Sequence, residues 1–270
     1  MIPLRVTPES AGWTYSGLSV IDLAPNELFN IQTGEQETLV LPLSGGCVVS
    51  CADAGFTLAG RANVFAGPTD FAYLPIDSSA TIASPGGGRF ALPSARAGRR
   101  LPFRYGAVAG VPVELRGSGR ASRQVNNLCT PETFDADKLI AVEVLTPAGN
   151  WSSYPPHKHD EHTADERPLE EIYYFEIDGA NGVGYQRVYG SGAGREIDVL
   201  TEVRSGDVVL IPHGYHGPSM APPGYHMYYL NVMAGPDPER AWLFTDDPAH
   251  AWIRDTWADE PVDPRLPFGS

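Results

Sequence analysis

Glycine and proline interrupt this chain at short intervals, and that punctuation limits the folds open to it. With 29 glycines and 25 prolines they make up a fifth of the 270 residues. The apolar residues are cut into short runs such as TLVLPL, FTLAG, DFAYLP, LIAVEVL, EEIYYFEI, GDVVLIP and MYYLNVMAG. Runs of this length, rich in β-branched and aromatic residues and bounded by turn formers, predict strands and exclude long helices. The chain reads as all-β. Its length suits one large domain or two ordinary ones. A polar, arginine-containing connector, Arg116 to Asn127, suggests two, assigned to residues 1–118 and 119–270. The segments GRANVFAGPTDFAYLP and EVRSGDVVLIPHGYH share an order of Gly, apolar residues and Pro, so the halves are expected to share a fold.

Charge excludes some functions. The formal net charge is -14, and Lys138 and Lys158 are the only lysines. A nucleic-acid partner would need a basic face. An acidic surface repels anions at long range, so an anionic small molecule would have to be met locally, by a metal or by a particular arginine. The N-terminus lacks the apolar core of a signal peptide, and no run approaches the roughly 18 apolar residues of a membrane span. A cytoplasmic protein without membrane or nucleic-acid partners is expected. Cys47, Cys51 and Cys129 form neither a disulfide framework nor a CxxC pair and are expected as plain core or loop residues.

All seven histidines fall after residue 156, which assigns any imidazole chemistry to the second half. In PPHKHDEH, extended backbone puts His157 and His159 on one face and Lys158 on the other. A carboxylate from a following strand and a third histidine from a later one could complete a divalent-metal site inside a barrel. The strand EEIYYF offers Glu170 and Glu171 on opposite faces, and alternation alone does not choose between them. The turn PHGYH offers His213 and His216. A lone H-x-H is usually a solvated loop; the ordered Glu strand and the Gly-Asp-Val-Val-Leu-Ile-Pro-x-Gly-x-His segment that follow favour a metal site. His162, His226 and His250 lack a partner pattern and are expected to be structural or solvated. Trp242, Trp252 and Trp257 are expected to pack on the barrel as tail aromatics.

These residues resemble the two cupin motifs, read here as Gly149, His157, His159, Glu171, Gly179 and then Gly206, Pro212, Gly214, His216. The gap from His159 to Glu171 is longer than the usual cupin spacing, so DEHTADERPLE is expected as an inserted loop. The wording SSYPPHKHD, LEEIYYF, GYQRVY, GDVVLIPHGYH and YYLNVMAGP resembles the 5-deoxy-glucuronate isomerases of bacterial myo-inositol catabolism, relatives of the 4-deoxy-uronate isomerases. The resemblance covers residues 140–252 and continues more loosely through VLPLSGG and the GRANVF segment. It implies a bicupin of two jelly-roll β-barrels with the metal in the second, and selects Glu171 and His216 beside His157 and His159, with His213 outside the set.

The resemblance further implies one divalent ion (Zn, Mn or Fe) and an aldose to ketose isomerisation of a small anionic sugar, 5-deoxy-D-glucuronate, to 5-dehydro-2-deoxy-D-gluconate. Association of like subunits is an expectation from the resemblance alone. Isomerisation moves a proton between adjacent carbons and builds an oxyanion, which a metal can stabilise. Arg187 is the nearest sequence candidate for the substrate carboxylate. Tyr173 and Tyr229 are candidate proton carriers, with Glu170, metal-bound hydroxide or an acid of the first half as other options. Other chemistries share this fold and ligand set, including an Fe(II) dioxygenase or a sugar-binding module without catalysis.

Overall fold

The computed structural model describes residues 1–269. Strands dominate, as the glycine and proline spacing requires. The helical pieces among the described residues are the four-residue helix Pro8–Ala11 and four short 3-10 segments. No helix is long and apolar enough to cross a membrane.

The halves repeat one topology. In the first, the strands Ser16–Leu23, Gln36–Cys51, Phe71–Leu74 and Gly88–Arg96 lie in one sheet, the fourth between the first and second, and the third outside the second. In the second half Ile140–Thr146, Glu170–Ile177, Val208–Ile211 and Met227–Ala234 take the same order. These two sheets pack face to face. Strict alternation decides what each contributes: Ile172, Tyr174, Tyr228, Leu230 and Val232 turn towards the first half and join Leu39, Leu41 and Tyr73 in one buried cluster. Tyr173, Phe175, Met227, Tyr229 and Met233 turn the other way, into a separate core inside the second barrel. Each fully buried side chain of this size contributes about 1.5–3 kcal/mol. A third sheet, running Asp198–Val203, Gly184–Tyr189, Tyr215–Met220, His157–Lys158 and Thr245–Asp246, closes that barrel.

Strand Val113–Arg116 bonds to Arg123–Cys129 and through it to the second-half sheet. The polar connector is therefore an edge hairpin of the second barrel. Apart from the exposed Arg120 its residues are half-buried or buried, so the polar composition that reads as a linker is folded into the barrel.

Register makes the repeat quantitative. Thr38 stands opposite Leu74 as Glu171 stands opposite Ile211, so Glu37 and Glu170 are equivalent, one residue earlier and facing the opposite way. Each reaches across to the other half. Glu170 accepts hydrogen bonds from the backbone N–H groups of Thr14 (2.7 Å), Tyr15 (2.7 Å) and Ser16 (2.9 Å). Glu37 accepts from those of Asp137 (2.9 Å), Lys138 (2.6 Å) and Leu139 (2.7 Å), and from the Tyr73 hydroxyl at 2.7 Å. The barrels are thus clasped by two matching carboxylates. Between them lies a buried ion pair of Arg61 and Glu143, the latter also accepting from Tyr228 and Asn126.

Replacing Glu37 by Ala removes the acceptor for three N–H groups in a dry interface, at a cost on the order of 3–5 kcal/mol. Chemical denaturation should show the transition midpoint falling accordingly. An unchanged midpoint would mean that the clasp contributes nothing to holding the halves together.

Candidate metal centre

The extended segment after Pro156 places His157 and His159 as alternation requires. His157 pairs in register with His216; Lys158 points away. Strand Glu170–Ile177 brings Glu171 into the same barrel interior. His159, Glu171 and His216 are 2%, 1% and 0% exposed, and one ligand atom from each lies within 4.8 Å of the other two. Glu171 Oε2 is 3.0 Å from His159 Nε2 and 3.1 Å from His216 Nε2. His157 flanks this set at the rim, its ring centroid 4.4 Å from that of His216 and 4.6 Å from that of Phe244. The expected ligands therefore converge, three tightly and one beside them.

The hydrogen bonds around the cluster prepare it for a cation. His159 Nδ1 donates to the carbonyl of Leu169 at 3.1 Å and His216 Nδ1 to that of Gly214 at 3.2 Å. With Nδ1 committed to a carbonyl, the neutral form of each ring carries its lone pair on Nε2, aimed at the centre, as in metal-binding histidines. His216 Nε2 is buried without a hydrogen-bond partner. Asn231 Nδ2 donates to Glu171 Oε1 at 2.7 Å, which orients the carboxylate.

Burial opposes the Glu171 charge, but the nearby His216 and the hydrogen bond and charge of His159 outweigh it and bring its pKa down to about 2. Burial likewise opposes a charged His159, and the carboxylate of Glu171 overcomes it and raises that pKa. His157 is pushed well below the ordinary value, first by burial and then by its two histidine neighbours. An ionised carboxylate and a neutral rim imidazole are the protonation states that ligation needs, and cation binding would displace the protons shared with His159. The donor set fits a divalent metal.

A second cluster braces the segment that carries His157 and His159. Lys158 Nζ, on the opposite face, bonds Asp160 (2.9 Å), Glu161 (3.0 Å) and Glu166 (2.9 and 3.0 Å). Asp160 also accepts from the Gly214 N–H at 2.9 Å, beside the turn carrying His216. These acids resemble a cation site, and the ammonium group is its cation. The inserted loop, expected from the long gap to Glu171, is pinned by this network.

Tyr173 and Tyr229 stack with centroids 4.8 Å apart, next to His216. Their hydroxyls lie 3.0 and 3.1 Å from Ser153 Oγ. Burial, reinforced for Tyr173 by Glu171, raises both phenol pKa values. Both remain phenols at neutral pH, hydrogen-bond donors in place of bases.

Other candidates lie elsewhere. Arg187 alternates with the buried Gln186 and Val188, faces outwards, and is engaged by Asp198 and the Val199 carbonyl; the geometry does not bring it to the histidines. Glu170 is committed to the clasp. His213 lies outside the tight cluster, His162 pairs with Asp237, and His226 accepts from the Ala148 N–H at 3.0 Å and packs on Phe268. The three cysteines are free and buried. Trp252 is 60% exposed rather than packed on the barrel.

Sequence reasoning missed Asn231 and Asp246, which stand beside the cluster. Alternation from Tyr229 could have found Asn231. Asp246 faces His157 in register and is held by Arg254, a pairing that no local pattern announces.

The fold and the site together define a class: a two-barrel cupin with one His/Glu cluster of metal-ligand type, in the second barrel among the described residues. An oxalate decarboxylase from Lactobacillus farciminis shares the fold alone, with a TM-score of 0.63 and 12% identity over 90% of this chain and 82% of that one. The chain belongs to the KduI/IolB family, whose profile matches residues 2–253. It is 42% identical to the 5-deoxy-glucuronate isomerase of Geobacillus thermodenitrificans over 94% of this chain and 91% of that protein. Identity to the Bacillus subtilis (strain 168) enzyme of the same name is 39%, over 92% and 91%. The crystal structure of an IolB-like protein from Salmonella typhimurium superposes with a TM-score of 0.87 at 38% identity, covering 93% and 94% of the two chains. The chain is an isomerase by this kinship.

Lys158→Met would strand buried carboxylates of Asp160 and Glu166, at a cost on the order of 3–5 kcal/mol. Thermal melts should show the loss. A Lys158→Met protein as stable as the parent would show that the acids do not depend on the ammonium group.

Proposed function

We propose that this chain is a metal-dependent aldose–ketose isomerase that converts 5-deoxy-D-glucuronate to 5-dehydro-2-deoxy-D-gluconate, a cytoplasmic step of myo-inositol catabolism. The observation that carries the reading is the convergence of His159 Nε2, Glu171 Oε2 and His216 Nε2 on one buried point, with both histidine tautomers fixed for ligation. The substrate comes from the relatives named above. The ligands are His157, His159, Glu171 and His216, and the ion is of the Zn, Mn or Fe class.

A divalent ion held there supplies Lewis acidity towards the substrate carbonyl and its neighbouring hydroxyl. The protein's own groups do the rest. The reaction removes the proton on the carbon next to the aldehyde and returns one to the aldehyde carbon, through an enediol. Asp246 is the carboxylate in register with His157, and Arg254 holds it from the other side; in this reading it takes and returns that proton. Tyr173 and Tyr229, kept as phenols and joined through Ser153, orient the bound sugar as donors. Phe244, packed against His157, keeps water from the rim.

Anaerobic NMR with 5-deoxy-glucuronate tests this directly. Conversion should proceed without oxygen, stop with a chelator and return with divalent metal. Binding without conversion would leave a sugar-binding module, and a need for oxygen would leave a dioxygenase. Glu171→Ala and His157→Ala should each lose stoichiometric metal by elemental analysis, and retention in either removes that residue from the ligand set.

Asp246→Asn should keep its metal while kcat falls roughly 100-fold or more, the usual contribution of a positioned acid–base group. A kcat within a few-fold of the parent would reassign the proton transfer.

A further inference from the structure

The buried cations of this protein have carboxylate partners, with one exception near the metal cluster. Arg61 has Glu143 and Lys158 has three acids. Arg123 is 5% exposed, and its hydrogen bonds run from Nη1 alone, to the carbonyls of Ala121 at 3.0 Å and Tyr154 at 3.3 Å. The carboxylate of Glu114, on the neighbouring strand, is already gripped by both edge nitrogens of Arg116 at 2.8 Å. The Nε–Nη2 edge of Arg123, which could bind a carboxylate in bidentate fashion, thus has no protein acceptor among the described residues.

Its position is set by the strand. Val125 belongs to the core that contains Tyr173 and Tyr229, so Arg123, two residues earlier, faces the same interior. Tyr154, which fixes its Nη1, lies three residues before His157. Trp257 covers the guanidinium at 5.1 Å and meets Arg254 at 5.0 Å, and Arg254 holds Asp246 opposite His157. The indole nitrogens of Trp257 and Trp242 are buried without acceptors. Unpaired donors of Arg123 and Trp257 therefore lie together here, in a protein of net charge -14.

We infer that Arg123 receives the carboxylate end of the sugar acid, with Trp257 Nε1 as a second donor, and so sets the preference for a uronic acid over a neutral sugar. The inference rests on the isomerase reading for the identity of the sugar, and on the unpaired buried arginine for the anion. Burial, and then the charge of Arg116, push the Arg123 pKa down to about 9; a bound carboxylate would relieve that penalty. The arrangement also resolves how an anion is met by a chain of charge -14: the cation is inside.

Calorimetry with D-glucuronate and D-glucose on the metal-loaded protein separates charge recognition from turnover. The parent should prefer the acid by at least tenfold, and Arg123→Gln should abolish that preference while binding of the neutral sugar is retained. With 5-deoxy-glucuronate as substrate, KM should rise roughly 100-fold, as when one partner of a buried ion pair is lost. Arg123→Lys, which keeps the charge and loses the fork, should restore part of the preference, and it serves if the Gln variant does not fold. A parent without preference for the acid, or a folded variant that keeps all of it, overturns the assignment. Preference for the acid without conversion by the parent would instead overturn the isomerase reading and leave the anion site standing.

Discussion

Two adjacent glutamates on one strand hold this protein together and give it a site. Glu170 and Glu171 point to opposite faces because side chains alternate along extended backbone. Glu170 takes three N–H groups of the first barrel, and Glu171 meets two histidines in the second. The clasp fixes the strand, and the strand fixes the carboxylate of the His/Glu cluster. A slip of one residue would exchange the two carboxylates, stranding one charge in the core and leaving the other without its donors, so register is specified from both sides at once.

The first barrel shows what that arrangement becomes without a site. Glu37 repeats the role of Glu170 on Asp137 to Leu139, and Thr38 stands where Glu171 stands. The clasp is kept and the ligand is not. Both halves of the chain are thus needed for the interface, while the cluster forms in the second alone among the described residues.

Around the cluster, charge is compartmented. Carboxylates of the inserted loop are gathered by Lys158 on the outer face of the His157–Lys158 segment, whereas Glu171, on the strand Glu170–Ile177, faces the barrel interior. The tautomers of His159 and His216 are set by carbonyls of Leu169 and Gly214, and both carbonyls sit on segments tied down by that loop or by the strand next to it. Such preorganisation places the cost of ordering these side chains in folding.

The sequence by itself determined the all-β class and the likeness of the two halves, because strand alternation and turn chemistry act over a few residues and can be read in order, whereas the choice of Glu171 and His216 came from the family resemblance. The sequence also offered both Glu170 and Glu171, and local alternation treats them alike. Only the tertiary structure decided that Glu170 serves the interface, that Arg187 faces solvent on an outer sheet face, and that the hairpin at Val113–Arg116 belongs to the second barrel. Asp246, Arg123 and Trp257 were likewise invisible in order along the chain. They meet because the closing sheet sets Asp246 opposite His157 and the last 3-10 segment, Ala251–Ala258, lays Trp257 over Arg123, contacts between residues more than eighty positions apart that only closure of the barrel can create.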